Sequence, residues 1–316
     1  MPRLASLHLY PVKSMYRLSP PSAELQPWGL TGDRRWMLVA ADGTALTQRD
    51  EPSIGQFRPV PSADGTSLTL TGPDGSVHTL AAPTLAAGAP ETTVSVFGTV
   101  FSAAGAAKET SAWLAERLPA KLGEVRLVHL DRPATSRPIN PEYAAPGETV
   151  SMADGFPLLL TTTGSLNELN ARIADDHPGD PVKGAPLPME RFRPNLVVSG
   201  TAAWAEDGWR RIRIGGLEFR VVKPCGRCVV TTTDQESGER RGPEPLRALG
   251  RHHRFGNKLV FGQNLVPVRG SAAGAGAGFG ASALSGDEVA EVLGTLTVGD
   301  PVEVLEQAQA PEPDRR

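Results

Sequence analysis

The chain has 316 residues, with 32 Lys and Arg against 35 Asp and Glu, a formal charge of −3 and 40% hydrophobic residues. That length is comfortable for two cores, and a near-neutral balance with both signs scattered speaks against nucleic-acid or membrane-surface partners. Two cysteines, no apolar run of membrane-spanning length and no signal-like pattern at Met1-Pro2-Arg3-Leu4 predict a reduced, cytoplasmic protein without a membrane span, and two thiols cannot hold an iron–sulfur cluster in the usual four-thiolate way.

The 34 glycines and 29 prolines favour turns and short strands. Leu7 and Leu9 alternate with Ser6 and His8 in a strand closed by Pro11, which leaves Val12-Lys13-Ser14 just past its end. Trp36-Met37-Leu38-Val39 reads as a second strand, and Asp42-Gly43, Asp64-Gly65 and Asp74-Gly75 are hairpin turn signals, the last joining Ser67–Leu70 to Val77–Leu80. From Ala104 to Leu118 the period turns helical, with Trp113, Leu114 and Leu118 on one face. Val125–Leu130 is then a strand, so a domain junction is expected near Gly123.

Residues 132–147 read as a Pro-rich loop and Leu158–Leu160 as a buried strand, and Ser165 with Glu168 marks a capping box opening a helix through Ile173. In Arg191–Val198, Pro194 biases Arg193 toward an extended conformation feeding a strand. Arg211–Ile214, Gly215-Gly216 and Leu217–Val222 form a hairpin whose alternating arginines suit a solvated face. Phe261-Gly262-Gln263-Asn264 precedes a strand from Leu265 to Val268. An Ala/Gly/Ser stretch at 270–286 reads as a surface insertion, and Val302–Val304 as a closing strand before a structureless tail.

Chemistry concentrates in Lys223-Pro224-Cys225-Gly226-Arg227-Cys228, followed by Val229-Val230-Thr231-Thr232-Thr233-Asp234, which reads as a strand ending in an acid. A thiolate here is a nucleophile or a soft metal ligand, favoured by Arg227 and Lys223. Three plainer readings stand beside it: half of a zinc site lacking a suitably spaced second pair, a thioredoxin-like pair without the expected helix, and two inert buried thiols.

Tyr10-Pro11-Val12-Lys13-Ser14, Asp33-Arg34-Arg35-Trp36, Phe192-Arg193-Pro194-Asn195, Cys225-Gly226-Arg227-Cys228 with Thr231-Thr232 and Asp234, Phe261-Gly262-Gln263-Asn264 and Val298-Gly299-Asp300 stand in this order. The chain thereby resembles MOSC-domain proteins that carry the MOSC N-terminal β-barrel domain, a family that includes the amidoxime-reducing components, from about Leu4 to Leu305. The resemblance implies a mainly β (α+β) fold. A MOSC N-terminal β-barrel domain is expected at 1–123 and a MOSC β-barrel domain with a few short helices at 124–306, interrupted by the insertion at 270–286 and followed by a disordered tail at 307–316.

It also implies a molybdenum cofactor, Mo-molybdopterin, with Cys228 as the protein's metal ligand and Cys225 outside the coordination sphere. Lys13 and Ser14 would meet the phosphate end and Arg193 the pterin side, with Arg34 as a further contact and Asn195 as an orienting neighbour. Asp154-Gly155-Phe156 would approach the cofactor. Gly155 and Phe156 replace hydroxyl-bearing residues of mammalian relatives, which leaves main-chain contact or Asp154 itself, and Asn264 stands where those relatives have an aromatic. Asp234 is a candidate for proton delivery, its other reading being a turn-forming Asp.

The implied reaction is two-electron reduction of an N-hydroxylated small molecule, an amidoxime or N-hydroxylated base, to its amine and water. No flavin or dinucleotide fingerprint is present, so a separate electron donor is expected: a ferredoxin, a flavoprotein reductase or a cytochrome. The alternative is a carrier that holds sulfur as a Cys228 persulfide or delivers finished cofactor. Pyridoxal phosphate binding, a label sometimes extended to the family, ranks low, since Lys13 already has a phosphate-binding role in relatives.

Overall fold

Strand Lys258–Pro267 is the spine of an eight-stranded sheet in the computed structural model, which describes residues 1–270 and 291–314. In spatial order the main path is Arg3–Leu7, Leu196–Ser199, Leu158–Thr162, Lys258–Pro267, Leu217–Gly226, Trp209–Ile214 and Val302–Gln307, and the short strand Arg254–Phe255 pairs with the spine. All pairs are antiparallel except Leu158–Thr162 with Leu196–Ser199, whose crossover contains the helix Thr163–Asp176. The two edges of the path meet: Leu4 N–H donates to Asp300 O at 2.9 Å and Gly299 N–H to Leu4 O at 2.8 Å. Inside lie Leu4, Leu7, Leu160, Val198, Ile212, Phe219 and Leu265, each buried side chain contributing roughly 1.5–3 kcal/mol.

A five-stranded sheet, in the order Ala45–Leu46, Trp36–Ala40, Val125–His129, Thr99–Gly105 and Glu91–Val96, carries a core on each face, one around Leu38, Phe57 and Leu127 and one around Met37, Val94 and Val128. Two three-stranded sheets complete the strands. One contains the expected hairpin, Ser67–Thr71 with Val77–Ala81, extended by the strand Arg58–Pro61; the other pairs Gly294–Thr297 with Ser22–Gln26. The fold is thus mainly β with curled, barrel-like sheets, as the resemblance implies. Among the described residues no helix is long and apolar enough to cross a membrane.

Several local expectations are corrected. The strand Val125–His129, expected to open the second half, pairs with Trp36–Ala40 and Thr99–Gly105, so hydrogen bonding crosses the expected junction at Gly123. Ala104 lies within strand Thr99–Gly105, and the helix runs only Lys108–Ala115. Helix Thr163–Asp176 is capped by Thr162, whose side chain accepts from Ser165 N–H, so the hydroxyl that caps lies three residues before the one expected. The motif Phe261–Asn264 lies inside the strand Lys258–Pro267. The alternating arginines of the hairpin form ion pairs: Arg213 Nη2 lies 2.7 Å from Glu218 Oε1 and Nη1 2.8 Å from Glu303 Oε2. The tail expected to be disordered docks at two points, Ala308 N–H on Gly208 O and Asp314 Oδ2 on Gly256 N–H, at 2.8 and 2.7 Å. The surface insertion expected at 270–286 lies, past Gly270, outside the described residues.

Candidate functional site

The long strand Leu217–Gly226 ends at the cysteine motif, where Arg227 N–H makes a last bond to Leu259 O at 2.7 Å. The chain then turns instead of continuing as the expected strand: Cys228 is extended and caps a 3-10 turn, Val229–Thr232. Threonine chemistry explains the difference. Thr231 Oγ1 donates to Cys228 O and Thr232 Oγ1 to Val229 O, both at 2.8 Å, so hydroxyls bond back to carbonyls three residues earlier and compete with a ladder. Both thiols are half-buried, free, and line one cleft.

Lys13 and Arg34 of the first half, with Asp154, Arg193 and Asn195 of the second, complete the cleft. Lys13 is buried and donates to Met152 O at 2.9 Å and to Asp154 Oδ1. Burial lowers its pKa, and Asp154 only partly offsets that. Arg34 Nη1 donates to Asp33 Oδ2 at 2.6 Å and Asn195 Oδ1 at 3.1 Å, and Asn195, almost fully buried, is fixed by His8 O at 3.1 Å. Arg193 donates to Gln235 Oε1 at 2.9 Å and Met15 O at 2.8 Å, while burial pushes its pKa down to about 10. Both guanidiniums lie against the ring of Tyr10, at 4.4 Å for Arg34 and 4.2 Å for Arg193. Arg193 is left-handed at φ 52°, not extended: it ends the turn Met189–Phe192, and that tertiary setting overrides the bias from Pro194.

Ser14 at φ 68° and Arg34 at φ 47° share that conformation, so three of the five non-glycine residues with positive φ among the described residues line this cleft. Each costs roughly 1–2 kcal/mol, and such strain clusters where a site over-determines its backbone.

The cleft collects Lys13, Ser14, Arg34, Asp154, Gly155, Phe156, Arg193, Asn195, Cys228 and Asn264, ten of the eleven residues singled out in the sequence. Asp234 is the exception. Its Oδ1 accepts from Glu236 and Ser237 N–H, both at 3.0 Å, and its Oδ2 faces Arg241 and Arg191 at 3.4 and 3.6 Å. It orders the turn after the motif and does not line the cleft.

A mitochondrial amidoxime-reducing component 1 of Danio rerio is 31% identical over 256 residues, 78% of this chain and 73% of that one. The MOSC N-terminal beta barrel domain matches residues 1–121 and the MOSC domain residues 147–303. The chain belongs to the MOSC-domain family. The human mitochondrial amidoxime-reducing component 1 is 29% identical over 320 residues, 96% of this MOSC chain and 83% of that protein. A molybdenum cofactor sulfurase of Oryza sativa is 29% identical over 273 residues, 82% of this chain but 32% of the larger relative. The names of these relatives tie the family to molybdenum-cofactor-related function.

Two residues outside any motif support the MOSC cleft, Arg49 in its lining and Arg137 behind it. Arg49 Nη2 pairs with Asp154 Oδ2 at 3.1 Å; desolvation disfavours its charge, and Asp154 and the neighbouring Cys228 more than restore it. Arg137, buried, donates to Asp154 O at 2.7 Å and holds the Asp154 loop from behind. Of the two cations expected beside the thiols, Arg227 Nη1 lies 2.8 Å from Cys225 Sγ, whereas Lys223 sits over the ring of Tyr143, 4.5 Å away.

Proposed function

We propose that this chain holds a molybdenum cofactor through the Cys228 thiolate and reduces N-hydroxylated small molecules to amines. The observation that carries the reading is the donor set. Five cations, Lys13, Arg34, Arg49, Arg193 and Arg227, line the cleft with one carboxylate, Asp154, and the two free thiols of Cys225 and Cys228. Among the described residues no three His, Cys, Asp or Glu side chains converge as a metal cage. A soft metal at Cys228 would therefore draw its remaining donors from an anionic cofactor, which is what the excess of cations suits.

Bound there, the cofactor would supply the two-electron redox chemistry. The chain's own residues bind and orient. Lys13 and the backbone at Ser14 would meet the phosphate, Arg34 and Arg193 the polar pterin edge, and Asn195 fixes the direction of Arg34. Gly155 offers main-chain approach, since a Cβ there meets nothing within 4 Å. Arg49 is placed to stabilise negative charge at Cys228, and Asn264, fixed by its bond to Lys223 O at 3.1 Å, presents an amide to whatever lies above the thiol. Electrons would come from a separate ferredoxin, flavoprotein reductase or cytochrome.

The test is molybdenum and pterin analysis of wild type, Cys228→Ser and Cys225→Ser, with benzamidoxime reduction by reduced viologen as the activity readout. The reading expects about one molybdenum per wild-type chain by the single-thiolate argument, with loss only in Cys228→Ser. Molybdenum-free wild type carrying a persulfide would favour the second reading, a sulfur or cofactor carrier, which the aligned sulfurase supports.

A further inference from the structure

Strands Glu91–Val96 and Thr99–Gly105 are joined by Phe97-Gly98, with Val96 paired to Thr99 across the turn. Phe97 has φ 49° and Gly98 φ 80°, so both central residues are left-handed, the signature of a type I′ turn. The first of these positions favours Asn, Asp or Gly, and a bulky side chain there is strained. Phe97 is also 66% exposed, so its ring adds little to any core. Neither turn geometry nor burial accounts for an aromatic at this point.

Its surroundings do. The ring lies 5.0 Å from the Arg49 guanidinium carbon and 6.0 Å from Lys13 Nζ, the two cations that pair with Asp154. Arg49 in turn neighbours Cys228. The hairpin tip therefore holds an aromatic ring against Arg49 and Lys13, which line the cleft together with Cys228, with most of Phe97 open to solvent. Ser14, Arg34 and Arg193 show the same left-handed backbone in the wall below.

We infer that Phe97 is a specificity-determining residue that stacks on the planar body of the substrate while its reacting group reaches the centre at Cys228. The ligand class is flat and aromatic, and neutral or only weakly basic, since Arg49 and Lys13 flank the approach. Acyclic aliphatic N-hydroxy compounds offer the ring nothing to stack on. The inference rests on the reading of the cleft as the reductase site.

The experiment uses the cofactor-loaded protein and three variants: Phe97→Asn, which suits the turn and removes the ring, Phe97→Tyr, which keeps it, and Phe97→Ala. Benzamidoxime and acetamidoxime are compared by kcat and KM and, independently of turnover, by calorimetric titration of each compound into the protein. Phe97→Asn should raise KM and Kd for benzamidoxime about tenfold, in line with the cost of losing one stacked ring, with kcat and the acetamidoxime constants unchanged and Tm equal or higher. Phe97→Tyr should match wild type. Equal benzamidoxime Kd in wild type and Phe97→Asn overturns the proposal, and so does an equal loss for both compounds. If wild type turns over neither compound, the reductase reading fails by itself, and the difference in Kd still decides the role of Phe97.

Discussion

Lys13 and Asp154 are joined across 141 residues of chain: the ammonium, almost wholly buried, donates to a carboxylate whose side chain is 56% exposed. Desolvation works against ionised Asp154, yet Lys13 and then Arg49 outweigh it and hold its pKa well below the usual carboxylate range. Asp154→Asn would leave Lys13 with the Met152 carbonyl and no counter-charge. The expected cost is about 1–3 kcal/mol, the penalty for a buried ammonium left with neutral acceptors alone, read as a lower Tm of the cofactor-free protein. A variant as stable as wild type would show that the pair is not structural. In wild type the contribution of Asp154 is present above the ordinary carboxylate range and is lost as pH falls through its lowered folded value.

Arg49→Gln should behave differently. The Arg49–Asp154 pair is partly open to water, with 32% and 56% of the side-chain surfaces exposed, and exposed pairs contribute about 0–1 kcal/mol. The melting temperature should barely move. Cofactor retention should fall about tenfold, because a charge-assisted contact beside Cys228 is lost. Molybdenum remaining after dialysis measures this, and equal retention would remove Arg49 from the site.

Two buried groups set opposite pH limbs. Burial raises Glu206 from 4.5 to about 7, although Thr162 and Ser165 donate to it. Between those values the folded chain keeps a proton the unfolded chain has lost, so stability falls as pH rises, on the order of 3 kcal/mol. Burial, then Arg35, lowers His129 from 6.5 to about 3. There the unfolded chain holds the extra proton, and stability falls as pH drops, on the order of 5 kcal/mol at most. Urea midpoints between pH 3.5 and 8 should lose the upper limb in Glu206→Gln and the lower one in His129→Asn. An unchanged slope in either variant would reassign that limb.

Gly262 sits at φ +81° inside a strand, and a Cβ there would stand 2.5 Å from Leu160 O; Gly32 at φ +82° has open space. Gly32→Ala should cost about 1–2 kcal/mol from backbone strain alone. Gly262→Ala should cost more, about 3 kcal/mol or above, because the strand pair must separate, and it should disturb Asn264 as well. Chemical denaturation of the two variants side by side checks the ranking.

Much of the fold was legible because its signals are local. Asp-Gly and Gly-Gly turns located hairpins, and the Cys-x-x-Cys stretch with its flanking motifs located the cleft. What stayed hidden was non-local or a local competition. Val125–His129 alternates like any strand, and only its partners assign it to the first-half sheet. Arg193 is left-handed because its side chain is needed at Gln235 and Met15, and the β-branched run after Cys228 turns because threonine hydroxyls bond backward. Arg49 belongs to no motif; it reaches Asp154 through a loop whose path no spacing rule encodes. Asp234 matched a motif and still serves a turn.

Strand Arg3–Leu7 pairs with Leu196–Ser199, and Ser22–Gln26 with Gly294–Thr297. During synthesis the first strand therefore has no partner until nearly two hundred residues have followed it, and Lys13, just downstream of that strand, bonds Trp36 O through its backbone but meets its side-chain partners only at Met152 and Asp154. Contacts so distant in sequence slow folding. Severing the chain between its two matched domains would leave each half with strands that belong to the other, so the cleft is a property of the finished polypeptide, and neither half can be expressed alone as a working fragment.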